Sequence, residues 1–450
     1  MTLTSYSSLL KTFVVLLSHS AILNSLTSIY VPRTVSVLFR GEAKFLGFIL
    51  AGGTIVQASS VFVALVSDRT QFKLGRRRPF IIIGTIVATA GILAIISIDS
   101  LLVLSPHTPV LLLRFLFIVG FLSTVFGGSL IHMHTIALIS DLSSKLHFGK
   151  ASGVQSLFFT SGTTIAFVSF SFRMHPFWHF SAVYSAFLVV LLCTATVTCL
   201  SAKETPFVRS PGQSLRLLHI IRDLKFNCRQ HSDFTLIIII KFIASCSAGI
   251  QTYFQYFLRD VLHEPQPDVV VARLGLINLT VGLIVSIPAG ALCDVFPKKR
   301  ILAVGTVLIG FCMVIMFYTT KIWHMVFVCI FFSLGLNSMQ PADMSLTLSV
   351  IPKRDKSGSY LAMASLVLVC GVSCGSLLMS VIISFFVDYQ HSDVVERYTV
   401  SGYRAIIICG FVCNCIATIL TCYLSTEPVK GEKLVKREEN EELLVYSDLN

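Results

Sequence analysis

Charge is what this chain has least of. Of its 450 residues, only 13% are Asp, Glu, Lys or Arg, against 54% that are hydrophobic, and the mean hydropathy is +0.80. Soluble domains carry about 25% charged residues, so a soluble chain of this make-up leaves its apolar surface uncovered. The residue-by-residue alternation of a membrane barrel is also lacking. The apolar runs are instead ~20 residues or longer, the length of a helix that crosses a bilayer. Lipid offers backbone amides no partner, and a helix satisfies them internally. The expected class is an all-α polytopic membrane protein. No ATP-binding loop, metal-ligand cluster or nucleophile–base signature is present, so neither an enzyme nor a cofactor is expected. Thirteen cysteines fall almost entirely inside apolar runs. Pairs such as Cys370/Cys374 and Cys409/Cys413 sit one helical turn apart with no companion histidines, so they read as small packing residues rather than disulfides or metal ligands. The first apolar run lacks a small-residue cleavage site and reads as an uncleaved first span. The sequon Asn278-Leu279-Thr280 falls inside an expected span and should go unused.

What is there is a series of twelve apolar segments, at about 12–31, 43–66, 79–104, 109–140, 150–172, 180–200, 234–258, 272–293, 301–320, 323–350, 358–387 and 403–425. An even number of spans puts both termini on one side. The net charge of +12 is carried by short loops with no interleaved aromatics, which argues for a bilayer rather than nucleic acid as partner. With the termini cytoplasmic, the inner segments hold 24 of the 35 Lys and Arg and the outer loops nine. The positive-inside rule therefore sets the termini inside. Residues 1–200 form an N-terminal six-helix half and 234–425 a C-terminal one. The linker, 201–233, has one apolar face (Leu217, Leu218, Ile221, Leu224) that suits either a helix in the inner headgroup layer or a solvated connection. Residues 426–450 form a cytoplasmic tail.

Between the second and third segments the chain reads Ser67-Asp68-Arg69-Thr70-Gln71-Phe72-Lys73-Leu74-Gly75-Arg76-Arg77-Arg78-Pro79-Phe80. This stretch resembles the signature loop of the major facilitator superfamily. Its Gly-Arg-Arg-Arg-Pro-Phe ending, with Lys203-Glu204-Thr205-Pro206 in the linker, is similar to the sucrose-type and proton-associated sugar transporter branch. The resemblance implies two pseudo-symmetric six-helix bundles that move a small solute by alternating access. A second copy of the motif runs from Gly290 to Asp294 and on to Lys298, Lys299 and Arg300; the first copy departs in having Ala64 where the family has glycine. A further echo has a constant offset of 209, pairing Ser140 with Ser349, Gly149 with Gly358, Ser156 with Ser365 and Gly162 with Gly371. Parallel repeats of this kind characterise the facilitator fold. By the same resemblance, Asp68 and Asp294 meet neighbouring helix ends to close the inner gate. Arg69, Gly75 and Arg76–Arg78 complete the gating motif, and Asp141 is a partner for its cations.

An ionisable side chain at mid-span costs about 2.5–3.5 kcal/mol on insertion scales, so it faces a cavity or a partner. Lys241 and Asp343 both lie ~10–13 Å in from the inner surface at 1.5 Å per residue. The resemblance places their spans around a central cavity, where the two can pair. The other reading has Lys241 snorkelling to the interface and Asp343 binding backbone or motif cations. Lys241, Ser245, Thr252 and Gln255 share one helical stripe; Asn337, Gln340 and Asp343 share another. The repeat maps these positions onto His19 and His134, which offers a titrating group for proton coupling or simply a packed histidine. His132 and His134 point about 200° apart on a helix. Arg114, near the outer end of its span, either meets a substrate or snorkels.

Compared with the sucrose-type branch, His132 to Leu142 keeps the Ala-Leu and Asp-Leu elements. Ile136 stands where that branch has Arg, His134 where it has Pro, and Val125 where it has Asp. The proline that marks drug antiporters is absent from span five. A sugar-like solute is the favoured cargo, with protons as the coupling ion the histidines allow. The alternatives are a non-sugar organic solute, or a facilitator-fold sensor that does not transport. In the tail, Glu439 to Leu444 resembles an acidic dileucine sorting signal and Tyr446 to Leu449 a tyrosine-based one. They imply clathrin-adaptor contact and an endosomal or lysosomal membrane beside the plasma membrane; a plain disordered acidic tail is the other reading.

Overall fold

The structure is a computed structural model, and it describes residues 6–67, 74–75, 77–104, 108–142, 148–172, 176–202, 228–350, 357–389 and 395–424. The linker face at 217–224, the tail motifs and the motif residues Asp68, Arg69 and Arg76 lie outside them. Long helices dominate: α1 Leu10–Leu38, α2 Ala43–Ser67, α3 Arg78–Leu104, α4 Val110–Leu142, α5 Phe148–Ser171, α6 Pro176–Ser201, α7 Ser232–Asp260, α8 Pro267–Val295, α9 Lys298–Phe317, α10 Ile322–Ser349, α11 Ser357–Ser384 and α12 Val400–Cys422. Ten of these segments are long and apolar enough to cross a membrane by length and composition. The remaining two, α2 and α5, fill the same order in the chain. The protein is an all-α polytopic membrane protein.

Helix pairing follows a repeat. In the first half α1 packs on α4, α5 and α6, α2 on α4, and α3 on α4 and α6. In the second half α7 packs on α11 and α12, α8 on α10, and α9 on α10 and α12. Adding six to the first set reproduces the second, apart from the α1–α4 pair of the first half and the α11–α12 pair of the second. The halves meet through α2 on α11 and α5 on α8, which obey the same rule.

Packing explains one pair of the 209-residue echo, Gly162 and Gly371. A Cβ on Gly162 would lie 2.0 Å from the Leu17 carbonyl oxygen of α1, and one on Gly371 would lie 2.6 Å from the Phe242 carbonyl oxygen of α7. Each glycine lets its helix press directly on a neighbouring backbone. The first helix of each half is also broken. A π-turn, Leu26–Tyr30, interrupts α1 shortly before Pro32, whose missing N–H cannot serve the regular ladder. A 3₁₀ segment, Ala248–Tyr253, interrupts α7.

Candidate functional site

Each first helix carries an ionisable side chain seven residues before its break, His19 before Leu26 and Lys241 before Ala248. In the second half, the Lys241 ammonium donates to the Asp343 carboxylate, joining α7 to α10. Both side chains are largely but not fully buried, at 10% and 22% exposure. That leaves them within reach of a solute while each offsets the other's cost of leaving water. In the first half, His19 stacks on His132 of α4, with ring centroids 5.1 Å apart. Phe159 of α5 lies 5.8 Å from the His132 ring. So α1 with α4, and α7 with α10, each hold an ionisable pair.

The other expected residues are spread more widely. His134 is fully buried, and its Nδ1 bonds to the Leu130 carbonyl at 2.8 Å. Its ring lies flat on Phe80 at 4.7 Å, under the start of α3 rather than against His19. Arg114 donates from Nε to the Leu38 carbonyl at 2.9 Å and covers the Phe39 ring, fastening the end of α1 to α4. Ser245 lies against Gly371, and Thr252 Oγ1 is 3.0 Å from Ser376 Oγ, so this stripe of α7 faces α11. Gln255 is buried, and its Oε1 has no partner among the described residues. Asn337 donates to the Ser333 carbonyl at 2.8 Å and abuts Gly282 of α8. Gln340 is exposed.

Of the residues expected in the gating motif, Gly75 turns the chain with a φ of +107°. The buried Arg77 donates to Ser67 Oγ at 2.7 Å, tying the end of α2 to the start of α3. Arg78 opens α3. In the second copy, Lys299 donates to the carbonyls of Cys422 and Leu424, both at 2.7 Å. A cation there answers the negative end of α12. Lys298 and Arg300 share its turn; Asp141 ends α4, and Gly290 and Asp294 lie in the last turns of α8.

Sequence reasoning did not find a second cluster, at the end of the bundle remote from the termini. There the α1–α2 turn meets the α11–α12 connection. Tyr398 Oη accepts from the Ala43 N–H at 2.6 Å, and it lies 2.7 Å from Glu396 Oε2 and 3.3 Å from the Gly41 carbonyl. The Glu396 N–H donates to the Arg40 carbonyl. Arg259 donates to Asp260 through Nε and Nη2, to the Glu396 carbonyl at 2.8 Å and to Ser36 Oγ at 3.2 Å. Asp260 is fully buried and also accepts from Tyr403 Oη and the Tyr398 N–H. Gly41 has a φ of +78°, and a Cβ there would sit 2.7 Å from Val395, so the seam admits only glycine at this turn. Deeper in, Thr54 of α2 bonds Ser373 of α11 through their hydroxyls. The residues of the seam itself were not picked out from sequence because they stand in a connection or near a helix end, where polar residues are ordinary.

Residues 270–447 match the sequence family described as the Major Facilitator Superfamily. No curated protein matches the chain. Among solved structures, a point mutant of the nucleoside transporter NupG superposes with a TM-score of 0.70, covering 93% of this chain and 99% of that one at 9% identity. A bacterial homolog of the human lysosomal transporter Spinster, inward-facing and unoccupied, gives 0.66 over 92% and 95% at 14% identity. Its inward-facing and occupied form gives 0.66 over 94% and 97% at 13%. These likenesses give the fold: this is an integral membrane protein with the major facilitator architecture.

Proposed function

We propose that the chain moves a small polar organic solute across a membrane by alternating access, with twelve spans in two pseudo-symmetric bundles and both termini cytoplasmic. The observation that carries this reading is the Lys241–Asp343 pair, which joins α7 to α10 inside otherwise apolar helices. Two mid-span charges are costly to insert, and a purely structural contact between these helices would not need them. The His19–His132 stack serves the matching place between α1 and α4. The seam at the far end is closed, which fits one end of an alternating-access cycle.

For the cargo, the motif resemblance favours a sugar. The likeness to NupG, a nucleoside transporter, favours a solute that carries a flat base on a sugar. A pair of stacked imidazoles suits such a base, since an aromatic face attracts another in offset stacking, and Asp343 and Lys241 can bond its hydroxyls. The non-sugar solute is therefore the reading with more support. The histidines and Asp343 make protons the coupling ion to test, and the adaptor-like tail motifs make an endosomal or lysosomal membrane the compartment to test.

Uptake into proteoliposomes of a labelled panel of nucleosides, sugars and polyols, with and without an inward proton gradient, tests this. Saturable uptake of a nucleoside that competing sugars do not block is expected. Solute binding without flux across the whole panel would replace the transporter with a sensor.

A further inference from the structure

Where α9 ends and α12 begins, at the end of the bundle remote from the termini, the surface holds a cavity of about 150 Å³. That is smaller than the ~300–1,000 Å³ of a pocket that encloses a whole small ligand, so it fits one group of a larger molecule. Phe257, Val261 and Ile407 give it apolar walls, and among the described residues Arg404 is the one charged side chain that lines it. Thr320 lines it as well.

Arg404 is exposed, and its guanidinium lies over the Phe317 ring, 5.3 Å from the ring centre. A ring attracts a cation but leaves its charge in place, and among the described residues no carboxylate pairs with Arg404. Asp260 stands behind the lining residue Tyr403, but it is fully buried and already held by Arg259. The Thr320 N–H is taken by His324 Nδ1 at 3.3 Å, whereas its hydroxyl makes no bond among the described residues. A guanidinium presents five N–H donors in a flat fork that matches the oxygens of a phosphate.

The surroundings say which kind of phosphate. Tyr318 and Trp323, both exposed, flank the Thr319–Thr320 segment, and such aromatic side chains gather at the level of the lipid headgroups. From the cavity inward, α9 and α12 pack on each other and bare apolar side chains, Phe311 and Val314 on α9 and Ile408 and Val412 on α12. A free phosphate gains nothing from apolar walls, whereas a lipid buries apolar surface against them. We infer that the cavity binds the phosphate headgroup of a phospholipid in the leaflet remote from the termini. The phosphate meets Arg404 and Thr320, and the acyl chains run along α9 and α12. This goes beyond the transport reading and does not depend on it.

Native mass spectrometry of the full chain, stripped of lipid in detergent, tests the site with three probes: phosphatidylglycerol, diacylglycerol with the same acyl chains, and inorganic phosphate. The wild type should retain one phosphatidylglycerol in preference to diacylglycerol. Arg404→Gln should weaken that retention about tenfold or more, the scale of a lost charge-assisted hydrogen bond. Thr320→Val should weaken it by a smaller factor. Arg273→Gln, which removes an exposed cation of α8 that does not line the cavity, should behave as the wild type. The gain in melting temperature on adding phosphatidylglycerol should follow the same order. Equal retention of diacylglycerol, or an Arg404→Gln protein that keeps the wild-type preference, would overturn the site. Inorganic phosphate that binds without lipid and needs Arg404 would replace the lipid with a free anion. A lower melting temperature of lipid-free Arg404→Gln, with lipid retention unchanged, would make Arg404 a packing residue only.

Discussion

Asp343 shows at the scale of one residue how a membrane interior turns a side chain into an obligation. Alone in α10 it costs several kcal/mol; beside Lys241 it is partnered. Removing one partner leaves the other charge stranded, which costs about 3–5 kcal/mol when burial is complete and less here, where part of each side chain is accessible. Asp343→Asn should therefore lower thermal stability in detergent by about 2–3 kcal/mol. The double change Lys241→Met with Asp343→Leu should recover most of that stability while solute uptake stays lost. Uptake that returns with stability would show that the pair only holds α7 to α10. His134 teaches the opposite lesson. The repeat offered it either as a titrating group or as a packed histidine, and its ring lies on Phe80 and its Nδ1 on its own helix. A histidine inside a span finds whichever partner the helix rotation presents, and rotation is not written in one helix.

At the scale of the element, the helices are set by close approach. Small residues drive helix association in lipid because backbones can then touch. Gly162 on α5 and Gly371 on α11 do this at equivalent places in the two halves. A methyl group at either one meets backbone rather than a movable side chain, and overpacking of that kind costs about 1–3 kcal/mol. Gly162→Ala and Gly371→Ala should each lower the melting temperature by several degrees. Gly52→Ala, whose added Cβ would find its nearest neighbour at 3.7 Å, should leave it unchanged. Equal effects at all three positions would mean that the echo carries no packing information. The breaks in α1 and α7 belong to this scale as well. Pro32 announces the first, whereas nothing in 248–253 beyond Gly249 announces the second.

For the whole molecule, the question is what keeps one end shut. Tyr398 bonds across the halves to Gly41 and Ala43, and each such bond is worth about 1 kcal/mol net. Tyr398→Phe removes them and should shift the population toward an opening at that end by about five- to thirtyfold, as 1–2 kcal/mol implies. A cysteine placed at Ser380, which is buried on α11 beneath Gly47 of α2, reports this in a background freed of the native cysteines. It should react with a water-soluble maleimide several-fold faster in the Tyr398→Phe protein. An unchanged rate would mean that the seam is held by α2 on α11 alone.

The composition and the span-length apolar runs were enough to establish an all-helical polytopic membrane protein. Helix length and hydropathy are local properties, and a chain this poor in charge has no soluble alternative. The sequence also marked Lys241 and Asp343, because a charge in an apolar run stands out wherever the run is placed. It did not say that the stripe through Ser245 and Thr252 faces α11, that His19 meets His132, or that Gly41, Arg259, Glu396 and Tyr398 form one seam. Those depend on how far each helix is rotated and on which loops meet at the bundle's end. Polar residues at helix ends look alike in sequence whether they face water or each other, so only the tertiary structure could tell the seam from the surface.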